Sequence, residues 1–273
     1  MKRHLGLTFL LVGPVLLVAS VPREDDPHAQ QMARVARALL LYAEDNGDRF
    51  PSQGPAGPNR VERTTISVPA GWSRSINATT AAEDRLAWAN TFRPYLAELA
   101  DLAIEGAPEY RKRGWDYVAP LQPPIPVAMT FNGLLTLYQR AGVQNPNLVP
   151  LVWTGNGRSN SLGMAWSSPY LRCVNLFPCV FDPSKARHSP SRKGQNGAVM
   201  PPTGNGHAFA KGFYFIRVDG SLLTIKPKGG MPTDLNSDPF CEYSGDKPTQ
   251  YWGDGEYAPS FRPDRTGNSL SGG

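Results

Sequence analysis

Leu39 to Pro51 reads LLLYAEDNGDRFP, and the fold turns on how this stretch is taken. It opens as the apolar end of a helix, becomes acidic, and closes on Arg49-Phe50-Pro51. Asp45, Asn46 and Asp48 could be oxygen ligands for a cation, or they could be helix punctuation. The residues upstream favour punctuation. Asp26-Pro27 fits a helix start, with aspartate as the cap and proline at the first helical position. Met32, Val35, Ala36, Leu39, Leu40 and Ala43 then recur at i, i+3, i+4 spacing. The pattern predicts an amphipathic helix from about His28 to Asp45. Asn46-Gly47 supplies the left-handed residue that ends it. Phe50-Pro51 turns the chain out, with Phe50 expected to pack beneath the helix end.

Upstream of that helix, Met1 to His4 is a basic n-region, and Leu5 to Val21 follows without a charge. As a helix this apolar run would span only about 25 Å, short of a hydrocarbon core of ~30 Å. Gly13-Pro14 bends it, and Val18-Ala19-Ser20 offers small residues for cleavage. Residues 1–21 are expected to be an export signal, with a short, kinked membrane anchor as the rival. Either reading places the body outside the cytoplasm: periplasmic, at the cell surface or secreted.

Downstream, residues 51–77 are loop-rich. Thr80 to Glu83 reads as a capping box, opening a helical region from Ala81 to about Ile104 that Pro94 interrupts. From about residue 115, short apolar runs alternate with Pro, Gly, Asn and Ser. PVAMTF (126–131), LVPLVW (148–153) and GFYFIRV (212–218) read as strands. SLLTI (221–225) follows the last across Asp219-Gly220, a hairpin signal because the turn needs positive φ. Residues 182–206 read as a long exposed loop. Six aromatics between Phe240 and Phe261 suggest a tail that packs on the body.

The 273 residues carry 27 glycines and 27 prolines, so turns are many and long helices few. The formal charge of +5 comes from scattered Lys and Arg, without the stripe that nucleic acid requires. Cys173, Cys179 and Cys241 are the cysteines. In an oxidising compartment two are expected to pair, Cys173 and Cys179 being nearest in sequence; their spacing is a poor zinc pattern.

Catalytic signals are weak. The histidines are His4, His28, His188 and His207, and no Gly-x-Ser-x-Gly elbow accompanies them. GNGRSNSLG (155–163) has the glycines of a nucleotide loop but lacks the following Lys-Ser or Lys-Thr, so a plain turn is expected. Asp234, Asn236 and Asp238 alternate as in the first part of a calcium loop. Pro239 stands where the loop glycine belongs and Gly245 where the final glutamate belongs, which excludes an EF-hand. A looser calcium site recruiting Glu242 or Asp246 is one reading, and an Asx-turn cluster is the other. Trp115-Asp116, Asp254 and Glu256 lie near aromatics able to stack on sugars, though such aromatics also build cores.

Taken in order, these pieces resemble a known group. ALLLYAEDNGDRFP resembles the end of the N-terminal helix in bacterial pseudopilin-like proteins, the type II secretion and type IV pilin-like group. GHAFAKGFYFIRVDGSLLTI resembles that group's carboxy-terminal signature, a His followed at fixed spacing by Asp-Gly, here His207, Asp219 and Gly220. NPNLVPLVWTGNGR and SSPYLRC look like its middle region, and the segment from Ser237 to Asp264 is similar to its aromatic tail. The resemblance spans about residues 28–264. It implies an α+β, pilin-like fold with the N-terminal helix packed on a small antiparallel sheet with long loops. The implied layout is a helix over 28–50, a helical and loop insertion over 51–114, sheet and tail over 115–264, and a flexible end over 265–273. The implied role is a non-enzymatic structural or interaction protein of the cell envelope or of secretion or pilus-type machinery, partnering other pilin-like subunits or cell-envelope components. The sequence departs from the pattern in three places. Eleven residues rather than nine separate His207 from Asp219, and Ser221 replaces the usual histidine. Laid over a prepilin leader cut after Gly6, the chain has Leu11 where the group carries a glutamate. Two other readings remain open: a secreted carbohydrate- or surface-binding module using the tail aromatics and the 153–166 loop, and a secreted hydrolase with an unrecognised site, which a pocket holding His188 or His207 beside carboxylates would favour.

Overall fold

The computed structural model describes residues 26–54, 65–154, 159–167, 171–172, 180–182, 198–199, 213–225, 243–244, 247–248 and 261–264. Among the described residues there are three α-helices: α1 (Pro27–Asp45), α2 (Ala78–Asp84) and α3 (Trp88–Thr91). The strands are β1 (Thr65–Ser67), β2 (Glu109–Tyr110), β3 (Pro126–Val127), β4 (Met129–Phe131), β5 (Pro150–Thr154), β6 (Asn160–Leu162) and β7 (Met164–Ser167). They continue as β8 (Leu171–Arg172), β9 (Ala198–Val199), β10 (Phe213–Arg217), β11 (Leu222–Ile225), β12 (Tyr243–Ser244) and β13 (Lys247–Pro248). The class is α+β.

Helix α1 forms as its sequence dictates. Asp26 caps it, its carboxylate accepting from the His28 N–H at 3.1 Å and the Ala29 N–H at 3.4 Å. Met32, Val35, Ala36, Leu39 and Ala43 are buried on one face. Each of the larger side chains contributes about 1.5–3 kcal/mol by leaving water. Asn46 closes the helix, and Gly47 and Asp48 follow at φ 68° and 59°. Phe50 is fully buried just beyond, its N–H bonded to the Tyr138 carbonyl at 3.1 Å.

The main sheet has six strands in the order β1-β7-β4-β5-β10-β11. All pairs are antiparallel except β4 with β7, so the sheet is mixed rather than purely antiparallel. A second sheet, β2-β6-β3, lies beside it. Helix α1 packs on β10 and β11. Tyr214 and Ile216 of β10 join the core beneath the helix. Alternation along the strand sends Phe215 to the opposite face, where it meets Trp153 at 6.1 Å between ring centroids. Phe261 covers Trp153 at 5.1 Å and is fully buried. The end of the aromatic segment, 261–264, therefore packs down on the body. The Asn132 amide donates to the Phe261 and Pro150 carbonyls, both at 2.8 Å, and the Gln144 N–H donates to the Pro263 carbonyl at 3.1 Å.

The hairpin of β10 and β11 is present, with Ile216 opposite Leu222. Its loop is Val218-Asp219-Gly220, and the left-handed residue is Gly220 at φ 82°. A Cβ there would stand 2.9 Å from Leu40 Cδ1, so helix and turn meet closely.

The region expected to be helical over 81–104 is broken into α2, α3 and two 3-10 turns, Arg93–Tyr95 and Leu99–Leu102. Its cap is Asn77, accepting from the Thr80 N–H at 2.8 Å, rather than Thr80. Two inward-turned polar side chains explain the break. Asp84 is buried and accepts from the Ser67 N–H at 2.9 Å and the Ser67 hydroxyl at 2.5 Å. The Asn90 amide donates to the Ser67 and Asp84 carbonyls, both at 2.8 Å. These bonds, mostly to Ser67 on a distant strand, hold Asp84 and Asn90 inward where the helix would otherwise continue.

Candidate functional site

The acidic cluster after α1 is committed to the fold. The Asp45 carboxylate accepts from the Tyr95 hydroxyl at 2.9 Å, which pushes the Tyr95 hydroxyl above its ordinary range. The Asn46 amide donates to the Tyr42 carbonyl at 2.7 Å. Asp48 accepts from Arg140 Nε at 2.7 Å and from the Ala141 N–H at 3.0 Å. Each of the three thus has a partner within the protein. Among the described residues no group of three or more His, Cys, Asp or Glu is arranged to hold a metal ion.

Several expected site residues fall outside the described residues: Asp234, Asn236, Asp238, Glu242, His188, His207, Cys173, Cys179 and Cys241. So do Asp254, Glu256 and the apolar run Leu5–Val21. No described helix is long and apolar enough to cross a membrane. Asp219 and Gly220 are described. Asp219 Oδ1 accepts from the Ser221 N–H at 2.9 Å and the Ser221 hydroxyl at 2.5 Å, holding the hairpin turn.

The structure does unite two segments that were singled out separately, Trp115-Asp116 and the 153–166 loop. Trp72 lies between them. Its ring is fully buried and its Nε1–H donates to the Gly163 carbonyl at 2.5 Å. Gly163 has φ 72°, and a Cβ there would stand 2.3 Å from the Trp72 ring. Only glycine satisfies both constraints. Trp115 meets Trp72 edge-on at 5.5 Å, and Tyr117 meets it at 4.8 Å. The Tyr117 hydroxyl donates to the Leu162 carbonyl at 3.2 Å and accepts from the Lys112 N–H at 2.9 Å. Burial pushes that hydroxyl above its ordinary range.

Cations stand over both outer rings. Lys112 Nζ lies 4.9 Å from the Trp115 ring centroid, and the Arg111 guanidinium 5.4 Å from that of Tyr117. Beyond the rings the chain runs out through Val118, 96% exposed, and Leu121, 64% exposed. Tyr110 is exposed at the other end. The chain is nevertheless fastened: the Leu121 N–H donates to the Trp72 carbonyl at 2.8 Å, and Asp116 Oδ1 accepts from the Val118 N–H at 3.0 Å.

This corner is an aromatic cluster over buried Trp72, flanked in chain order by Arg111, Lys112 and Arg113 on one side and exposed Val118 and Leu121 on the other. Its chemistry suits contact with a surface or a polymer. The scatter of Lys and Arg along the whole chain hid it, although Arg-Lys-Arg beside Trp115 was the available signal. The pairing of Trp72 with Gly163 left no trace in local spacing.

No family model matches the chain, and no curated protein or solved structure matches it.

Proposed function

We propose that the chain is a non-enzymatic, pilin-like structural or interaction protein of the cell envelope, positioned outside the cytoplasm. One observation carries the reading. The end of α1 and the Asp219-Gly220 turn, the two motifs most like those of pseudopilin-like proteins, meet through Leu40 and Gly220. Such a helix laid on the carboxy-terminal hairpin is what a pilin-like head requires. The partners would be other pilin-like subunits or components of the envelope. The test is fractionation followed by N-terminal sequencing of the exported protein. Cleavage after Gly6 or an intact apolar segment supports a membrane-embedded subunit. Cleavage near Ser20 leaves a soluble protein and overturns that placement.

A carbohydrate-binding role is the second reading, favoured by the half-exposed rings of Trp115 and Tyr117. It ranks below the first because Lys112 and Arg111 already occupy one face of each ring. A glycan array tests it, the Trp115→Ala variant serving as control. Calcium at Asp234, Asn236, Asp238 and Glu242 is tested separately by calorimetric titration; no heat and no rise in melting temperature would remove it.

A further inference from the structure

We infer that the 111–121 corner is a docking surface for an anionic phospholipid bilayer, a contact separate from any made by Leu5–Val21. Three kinds of chemistry that a bilayer surface engages follow one another along this segment. Arg111, Lys112 and Arg113 are three consecutive cations suited to headgroup phosphates. Trp115 and Tyr117 have apolar bodies and polar tips, the residue types that settle at the interface. Val118 and Leu121 are 96% and 64% exposed, apolar side chains able to enter the acyl boundary. Of the six large hydrophobic side chains exposed among the described residues, Val118 and Leu121 belong to this segment and Tyr110 immediately precedes it.

Of the two carboxylates next to these cations in the chain, Glu109 reaches Arg111 at 3.5 Å, and Asp116 is turned onto the Val118 and Ala119 N–H groups. The tip is held by Trp72 and by the Tyr117 hydroxyl, so docking orders little additional chain. Val118 is almost fully exposed among the described residues, which suits a flat, deformable partner.

The experiment is sedimentation of the full chain with vesicles of equimolar phosphatidylcholine and phosphatidylglycerol, against phosphatidylcholine alone. The wild type is expected to bind the anionic vesicles, more weakly as salt rises. Val118→Asp/Leu121→Asp should weaken binding at least about tenfold. Arg111→Gln/Lys112→Gln/Arg113→Gln should do the same and remove the preference for anionic vesicles. Brominated acyl chains should quench tryptophan fluorescence in the wild type and less in Trp115→Phe. All substituted positions but Lys112 and Trp115 are exposed, and unchanged circular dichroism and melting temperature would show that the variants fold. Variants binding like the wild type would assign attachment to another part of the chain and overturn the inference. So would a wild type that ignores vesicles, including one that binds a glycan through Trp115.

Discussion

The Tyr214 hydroxyl donates to Asp26 Oδ2 at 2.6 Å, joining two residues 188 positions apart. The same carboxylate caps α1, so one side chain starts the helix and fastens it to β10. Tyr214→Phe removes the bond and leaves a buried acceptor without this donor. A loss of about 1–2 kcal/mol is expected in denaturant unfolding. Asp26→Ala removes cap and fastening together, and should cost about 2–3 kcal/mol.

The same pair sets an alkaline dependence. Burial first, then the hydrogen bond to Asp26, raises the Tyr214 hydroxyl well above its ordinary value of 10.0. Its proton is held more tightly folded than unfolded. The associated stability is complete below the unfolded value near 10 and is lost as pH rises toward the folded one. Melting temperature should therefore fall more steeply above that point in the wild type than in Tyr214→Phe. Parallel curves would contradict this.

Gly163→Ala places a methyl group 2.3 Å from the Trp72 ring at a φ of 72°. The ring is fully buried and its Nε1–H is bonded to Gly163 itself, so it has no easy retreat. A loss of about 3 kcal/mol or more is expected, from overpacking added to backbone strain. Gly106 shares the same φ, yet nothing lies within 4 Å of its Cβ position. Gly106→Ala should cost only about 1–2 kcal/mol. Chemical denaturation of both variants makes the comparison.

Arg34 grips Asp101 through Nε, at 3.0 Å to both carboxylate oxygens, and through Nη2 at 2.6 Å. Asp101 is 3% exposed, while the arginine is about half exposed. The hydrogen bond to Asp101 raises the Arg34 guanidinium above its ordinary value. Arg34→Ala strands a buried carboxylate; because water reaches the arginine side, a loss of about 1–2 kcal/mol is expected in urea unfolding.

Phe261→Ala empties the space over Trp153 while leaving the Asn132 bond to the backbone carbonyl of that position intact. A loss of about 3–4 kcal/mol is expected by thermal or urea unfolding. Removing residues from 261 onward should cost more, since the carbonyls bonded to Asn132 and Gln144 go as well.

Local chemistry carried the legible part of the sequence. The start of α1, its apolar stripe and its closure at Asn46-Gly47 all lie within one helix length, and each has a short-range physical cause. The Asp219-Gly220 turn is legible for the same reason. What escaped depends on distant partners. The region over 81–104 has helical spacing, but Asp84 and Asn90 turn inward to Ser67, and neither contact leaves a mark in the local pattern. Trp72 reaches Gly163 across 91 positions, so the corner that gathers Trp115 and Tyr117 is invisible in the sequence even though Trp115 stands out there. The acidic run after α1 was ambiguous because the same side chains serve metal sites and loop ends; Tyr95 and Arg140 supply the missing partners.

The joint between Asp26 and Tyr214 also decides how the molecule bears tension. A pull on the chain ahead of Asp26 arrives first at the capped end of α1. From there it passes into β10, an interior strand flanked on both sides by hydrogen-bonded neighbours. The load is shared across the sheet instead of peeling the helix away from its first turn.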